Sequence, residues 1–159
     1  LRRSALLKFE IVDDDAELIL SGGLKTRLFP VYHGSTYVSL GFQFGKEGEF
    51  VYISDVSSLP AKSMEFLRTI SKIKVLAVDC LQMESHTSHF NYDDAVEFVR
   101  TLRPSLTYFV GMSCSLGDAR EVQEKLDALK AKENLIIRLA RDGGMVNDEK
   151  GARAHFSLR

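Results

Sequence analysis

EFVYISDVSSLPAKSMEFLRTISKIKVLAVD, residues 49–79, is the stretch whose reading decides the fold. Its first seven residues form a near-continuous apolar run, the pattern of a strand buried on both faces. Ser58 is placed to cap a helix, Pro60 sits at its first turn, and Met64, Leu67 and Ile70 then share one face. IKVLAVD (73–79) is a second buried strand. A strand, a helix and a strand in succession predict parallel pairing through a crossover, because a tight hairpin can join only antiparallel neighbours.

The alternation continues toward the C-terminus. Asn91 is expected to cap a helix with Asp94 near its third position, and Ala95, Phe98, Val99 and Leu102 give an apolar stripe that Pro104 ends. LTYFVG (106–111) reads as a strand, Gly117 and Asp118 open a third helix with Ala119, Val122, Leu126 and Leu129 facing inward, and LIIRLA (135–140) is the last strand before a Gly143-Gly144 turn. From Asn147 onward the chain is polar and is expected to be loosely held. Toward the N-terminus the pattern is different. ALLKFEIV (5–12), AELIL (16–20), TRLFPVYH (26–33) and STYVSLGFQF (35–44) are short β-type segments broken by DDD, SGG and HGS, which fits antiparallel hairpins, with GKEG (45–48) as a turn. The expected class is α/β, a mixed sheet flanked by helices. Function in such sheets gathers beyond the carboxyl ends of the parallel strands. Those loops hold Asp55, Asp79 through His89, and Gly111 through Ser115.

With 159 residues, 45% hydrophobic and 27% charged, the chain has the composition of one globular core. A formal net charge of -1, with both signs spread along the sequence, offers no bulk attraction for nucleic acid or acidic lipid. No apolar run approaches the roughly 20 residues that span a bilayer, and the acidic DDD comes too early for a secretory leader. A cytoplasmic protein with reduced thiols is the expectation, since Cys80 and Cys114 alone make neither a disulfide framework nor a paired zinc motif.

Several side chains could carry chemistry. Asp55 and Asp79 each end an apolar strand, where a carboxylate either caps the next element, the commoner use, or binds a metal. His86 and His89, two of only four histidines, share one loop, and an H-x-x-H loop can turn two imidazoles to one side for metal binding or acid-base work. A loop closed by hydrogen bonds from the two rings is an equal reading. His33 ends a strand beside Gly34, whose bare backbone lets another segment approach. A solitary strand-end histidine is more often structural. Cys114 could be a thiolate ligand or a plain thiol, and His155 lies in the polar tail. Phosphate-binding loops, dinucleotide fingerprints and nucleophile elbows are absent from the sequence.

From about Phe29 to Gly144 these pieces, in this order, resemble the metallo-β-lactamase superfamily, and within it the branch of the phosphonate-pathway cyclic phosphodiesterase. The resemblance rests on VYHGSTYVSLGFQFG (31–45), FVYISDVSSLP (50–60), VLAVDCLQMESHTSHF (75–90) and NYDDAVEFVRTLRPSLTYFVGMS (91–113). It implies the C-terminal half of an αββα sandwich, with residues 1–146 as a partial domain and 147–159 as a tail. By resemblance His33 matches a metal-ligating histidine and Asp55 the aspartate that bridges two divalent metals, zinc or manganese. His89 and His86 match histidines close to the scissile phosphate, where an imidazole can donate a proton or steady developing charge. Asp79 matches a strand-end acid that orients ligands, and Cys114 stands close behind the metals.

Two departures from the family pattern stand out. The H-x-H-x-D-H signature, which supplies most metal ligands, does not occur in the sequence, and the last ligand loop, normally Thr-His-Met-Ser-His or similar, reads Val110-Gly111-Met112-Ser113-Cys114. Two matched ligands are fewer than the three that a catalytic zinc takes from protein. The resemblance therefore implies a fragment of a phosphodiesterase-like metallohydrolase, inactive by itself and completed by its missing half or by self-association. The alternative is a degenerate member that binds or scaffolds. A phosphodiester of small size is the expected substrate.

Overall fold

The computed structural model describes residues 9–46, 48–144, 146–147 and 153–154. One seven-stranded sheet runs in sequence order: β1 (Glu17–Leu20), β2 (Leu24–His33), β3 (Tyr37–Phe44), β4 (Phe50–Ile53), β5 (Val75–Asp79), β6 (Leu106–Val110) and β7 (Ile137–Leu139). β1 to β4 pair antiparallel, and β4 to β7 pair parallel. The parallel steps are bridged by α1 (Ala61–Thr69), α2 (Tyr92–Leu102) and α3 (Ala119–Glu133). The switch from hairpins to crossovers falls at β4, where the apolar run begins to be followed by helix signals.

Period-two alternation divides the sheet into two faces. Val51, Ile53, Leu76, Val78, Phe109 and Ile137 join Leu67, Val96, Val99, Val122 and Leu126 of the helices in one buried cluster. Each such side chain removed from water contributes about 1.5–3 kcal/mol, so this helix-facing side holds the layer together. The opposite face carries Phe42, Phe44, Phe50 and Tyr52. Phe42 pairs across with Tyr52 and Phe44 with Phe50, forming a half-buried aromatic row outside that cluster. Gly41 of β3 is required by packing, since a Cβ there would fall 2.3 Å from the Phe29 ring.

Local capping matches the sequence reading at two helices and departs from it at one. Asn91 Oδ1 accepts from Asp94 N–H, and Asp118 Oδ1 accepts from Arg120 N–H and Glu121 N–H. Ser58 does not cap α1, which starts one residue after Pro60. The Ser58 carbonyl instead accepts from Tyr32 N–H in an isolated bridge to β2. Residues 9–12 are exposed and lie outside any strand. The remainder of the 5–12 segment lies outside the described residues. Of the tail, 146–147 pair antiparallel with 153–154, and His155 lies outside the described residues. No helix among the described residues is long and apolar enough to cross a membrane.

Candidate metal centre

The topology delivers the polar residues to one sheet edge. β2 is antiparallel to β3 and β3 to β4, so the end of β2 at His33 lies on the same edge as the carboxyl ends of β4 and β5. Asp55 follows β4, Asp79 ends β5, and Gly111 follows β6 on that edge. His86 and His89 lie in the loop between β5 and α2.

Three of these residues converge. One donor atom each from His33, Asp55 and His89 lies within 4.8 Å of the others, the spacing of a group able to surround a single cation. The His33 and His89 rings meet edge to face, 4.6 Å between centroids and 80° between planes. Both rings are anchored by Nδ1. His33 Nδ1 lies 2.7 Å from the Ser88 carbonyl, which can only accept, so His33 donates there. His89 Nδ1 lies 2.7 Å from Asp79 Oδ2, which also accepts from Val56 N–H at 3.2 Å. Each ring thus keeps Nε2 for another partner, the usual arrangement of a ligating histidine. Asp55 is exposed and adopts the left-handed conformation, φ 52°, which Asp tolerates better than most residues. Its carbonyl accepts from Ser39 Oγ at 2.6 Å, tying its loop to β3.

Asp79 is 1% exposed, and burial holds its carboxyl above the usual carboxylate range against the opposing pull of His89. Its second oxygen, Oδ1, is buried with no hydrogen-bond partner. Such an atom costs free energy unless something answers it. Gly111 faces it: with φ +72° and no side chain, it leaves a gap where a Cβ would stand 2.7 Å from Oδ1. The chemistry of the donor set, two imidazoles and a carboxylate with an orphaned buried carboxylate oxygen behind them, fits a divalent cation such as zinc.

His86 lies beside His89, with 5.2 Å between ring centroids, but it is exposed and its Nδ1 accepts from Ser88 N–H in its own loop. It is outside the converging group. Cys114 is exposed in a short 3-10 turn, Cys114–Leu116, and is also outside it. Cys80 is the buried thiol, pushed up to about 12 by burial.

Serines that the sequence reading passed over build the scaffold. Ser57 Oγ accepts from Gly34 N–H and donates to the Tyr32 carbonyl, fastening the β2–β3 turn to the loop after β4. Gly34, φ +78°, lets that turn close against Ser88, whose Cβ would lie 3.4 Å from a Cβ at position 34. Ser57 and Ser88 lie in loops and Ser39 lies within β3, and nothing in their sequence neighbours marks them as supports.

A sequence profile of the β-lactamase superfamily domain matches residues 2–112. The chain belongs to the metallo-β-lactamase superfamily. Among solved structures of this superfamily's fold, a diphosphatase from the PhnP family superposes with a TM-score of 0.67 and 30% sequence identity, covering 92% of this chain and 48% of that one. The metallo-beta-lactamase fold protein YhfI from Bacillus subtilis gives 0.64 at 14% identity, covering 84% of this chain and 53% of that one. An isothiocyanate hydrolase from Delia radicum gut bacteria gives 0.57 at 14% identity, covering 94% and 60%. The chain therefore spans about half the length of these superfamily members. No protein of curated function matches it in sequence. The mixed seven-stranded sheet with its three helices matches the fold of these relatives.

Proposed function

We propose that the chain contributes one half of a metal-dependent hydrolase acting on a small phosphodiester or diphosphate. The observation that carries this reading is the convergence of His33, Asp55 and His89 at one sheet edge, supported by the resemblance to a diphosphatase at 30% identity. A bound divalent cation supplies Lewis-acid polarisation and activates water near neutral pH. The chain's own residues do the rest. Ser88 and Asp79 hold the two imidazoles by Nδ1, and Ser39 and Ser57 fix the loops that carry Asp55 and His33. His86, whose exposed ring lies next to His89, would pass a proton to a departing oxygen at the mouth of the site.

A second reading has its own support. Gly111 stands where family members carry a ligand, which favours a catalytically degenerate module that binds a phosphate ester without cleaving it. The partner in either case is a small phosphate ester. A polypeptide completing the domain, either a second copy or a segment equivalent to the remaining half of the relatives, would cover the aromatic row of Phe42, Phe44, Phe50 and Tyr52.

The test uses the full chain, alone and mixed with a polypeptide equivalent to the remaining half of its relatives, loaded with zinc or manganese and supplied with a chromogenic phosphodiester, a diphosphate ester and inorganic phosphate. Metal-dependent turnover that disappears in Asp55→Ala supports the hydrolase. Metal-dependent phosphate binding without turnover supports the binding module. Loaded protein that neither cleaves nor binds overturns both.

A further inference from the structure

Four rings stand in a row along the edge that carries the site. Tyr37 meets His33 at 6.0 Å between centroids and 81° between planes, His33 meets His89 at 4.6 Å, and His89 meets His86 at 5.2 Å. His33 and His89 belong to the converging group, and His86 is exposed at one end of the row. Tyr37 ends the row on the other side, and neither the buried core nor the converging group includes it.

Register puts it there. Tyr37 opens β3 directly across from His33, the last residue of β2. Cross-strand partners share a face of the sheet, and on that face β2 also carries Phe29 and Val31 of the core, while β3 carries Ser39, whose hydroxyl donates to the Asp55 carbonyl. By the same alternation Phe42, Phe44, Phe50 and Tyr52 lie on the opposite face. A polypeptide covering that aromatic row therefore packs against the other side of the sheet from Tyr37. The hairpin end is fixed as well, since Gly34 N–H donates to Ser57 Oγ and His33 Nδ1 lies 2.7 Å from the Ser88 carbonyl. The tyrosine ring thus rests against an imidazole that is itself anchored.

Tyr37 is nevertheless 62% exposed. A side chain so open adds little to the core, and aromatic surface beside a few converging polar groups is the usual lining of a ligand site. A flat ring on a ligand gains there what a base gains by stacking on an aromatic side chain, an attraction that accepts any planar π-system because each has a face to offer. The phenol hydroxyl can also donate to or accept from polar atoms on the rim of that ring.

We propose that Tyr37 is the specificity-determining residue of this site, a platform that selects phosphate esters bearing a planar aromatic ring, whether a nucleobase or an aryl group. This rests on the reading that the site takes a phosphate ester at a bound cation, and it deepens that reading by naming the group attached to the phosphate.

The experiment measures affinity by isothermal titration calorimetry on the full chain loaded with zinc, alone and mixed with a polypeptide equivalent to the remaining half of its relatives. Two matched pairs of probes separate the ring from the phosphate: adenosine 5′-monophosphate against ribose 5-phosphate, and phenyl phosphate against ethyl phosphate. The expected result is tighter binding of the ring-bearing member, by about 5- to 150-fold for the nucleotide. Tyr37→Ala should remove the preference and Tyr37→Phe should keep it. Val38→Ala, next to Tyr37 but on the opposite face of β3, should leave it unchanged. Thermal melts establish that each variant is folded. A preference in the first pair alone supports the proposal with nucleotides as the ligands, and a preference in the second pair alone supports it with aryl esters. Equal affinities within both pairs for the unaltered chain, or a preference that Tyr37→Ala retains, would overturn the proposal and leave the phosphate-ester reading standing. Binding of none of the four probes, by the chain alone or in the mixture, would overturn both.

Discussion

Substituting Gly111 by Ala should destabilise the protein through the buried Asp79 carboxylate that it stands against. Two costs follow from its geometry. A φ of +72° places a non-glycine residue in the left-handed region, at roughly 1–2 kcal/mol. The added Cβ would stand 2.7 Å from Asp79 Oδ1, closer than real contacts allow, so the carboxylate must move away. Its Oδ2 accepts from His89 at 2.7 Å and from Val56 N–H at 3.2 Å, and losing one hydrogen bond to a buried charged group costs about 1.5–3 kcal/mol. Together these give about 2.5–5 kcal/mol. At about 2–4 °C per kcal/mol for a chain of this size, Tm should fall by roughly 5–20 °C. Urea unfolding followed by circular dichroism should show a lower midpoint at unchanged slope. In an Asp79→Ser background the same substitution should cost only the backbone part, about 1–2 kcal/mol. A loss below about 0.5 kcal/mol in the original background would refute the close approach of Gly111 to Asp79 on which the reasoning depends.

Other consequences can be checked on the same protein. Thiol titration of the native chain should find one fast-reacting group, the exposed Cys114, with Cys80 reacting only on denaturation because burial pushes its thiol up to about 12. Arg100 grips Glu133 through two hydrogen bonds, at 2.8 and 2.9 Å, between α2 and the end of α3. This holds the Glu133 carboxyl below its ordinary value of 4.5. A lowered folded pKa means the contribution is present above the unfolded value and lost as pH falls through the folded one. Glu133→Gln should therefore be less stable than the unaltered chain at neutral pH, and the gap should close as the pH is taken below 4.5. Leu126→Ala, at a fully buried position of α3, should cost about 2–5 kcal/mol in chemical denaturation.

Much of the architecture was legible because local and global signals agree. Asn91 and Asp118 stand directly before amphipathic runs, and both accept the N-terminal amide hydrogens expected of them. The apolar runs at 49–55 and 73–79 are the strands with core on one side and neighbours on both edges. Ser58 misleads because a serine before Pro60 satisfies a capping pattern, while a tertiary partner, Tyr32, claims its backbone instead. The 9–12 segment has β-type residues but forms no strand, which composition cannot reveal.

At the site, residue types were readable and pairings were not. His33, Asp55, Asp79, His86 and His89 are visible as candidates from their strand-end and loop positions. Which of the two loop histidines turns inward depends on Asp79, ten residues earlier in the chain, and on the Ser88 carbonyl between them, contacts that exist only once the loop closes. Resemblance supplied two donors, His33 and Asp55, and the folded loop brings His89 to them. Gly111 reads in sequence as a missing ligand. In the structure it is also the residue whose bare backbone makes room for Asp79 Oδ1.

The central claim is that His33 and Asp55 belong to a metal site formed by this chain. Elemental analysis of the purified full chain, equilibrated with zinc and then freed of loosely held metal, tests it directly, alongside His33→Ala and Asp55→Ala. The account predicts stoichiometric zinc in the unaltered chain and loss of it in both variants. Zinc at background in the unaltered chain, or zinc retained in full by both variants, would contradict it.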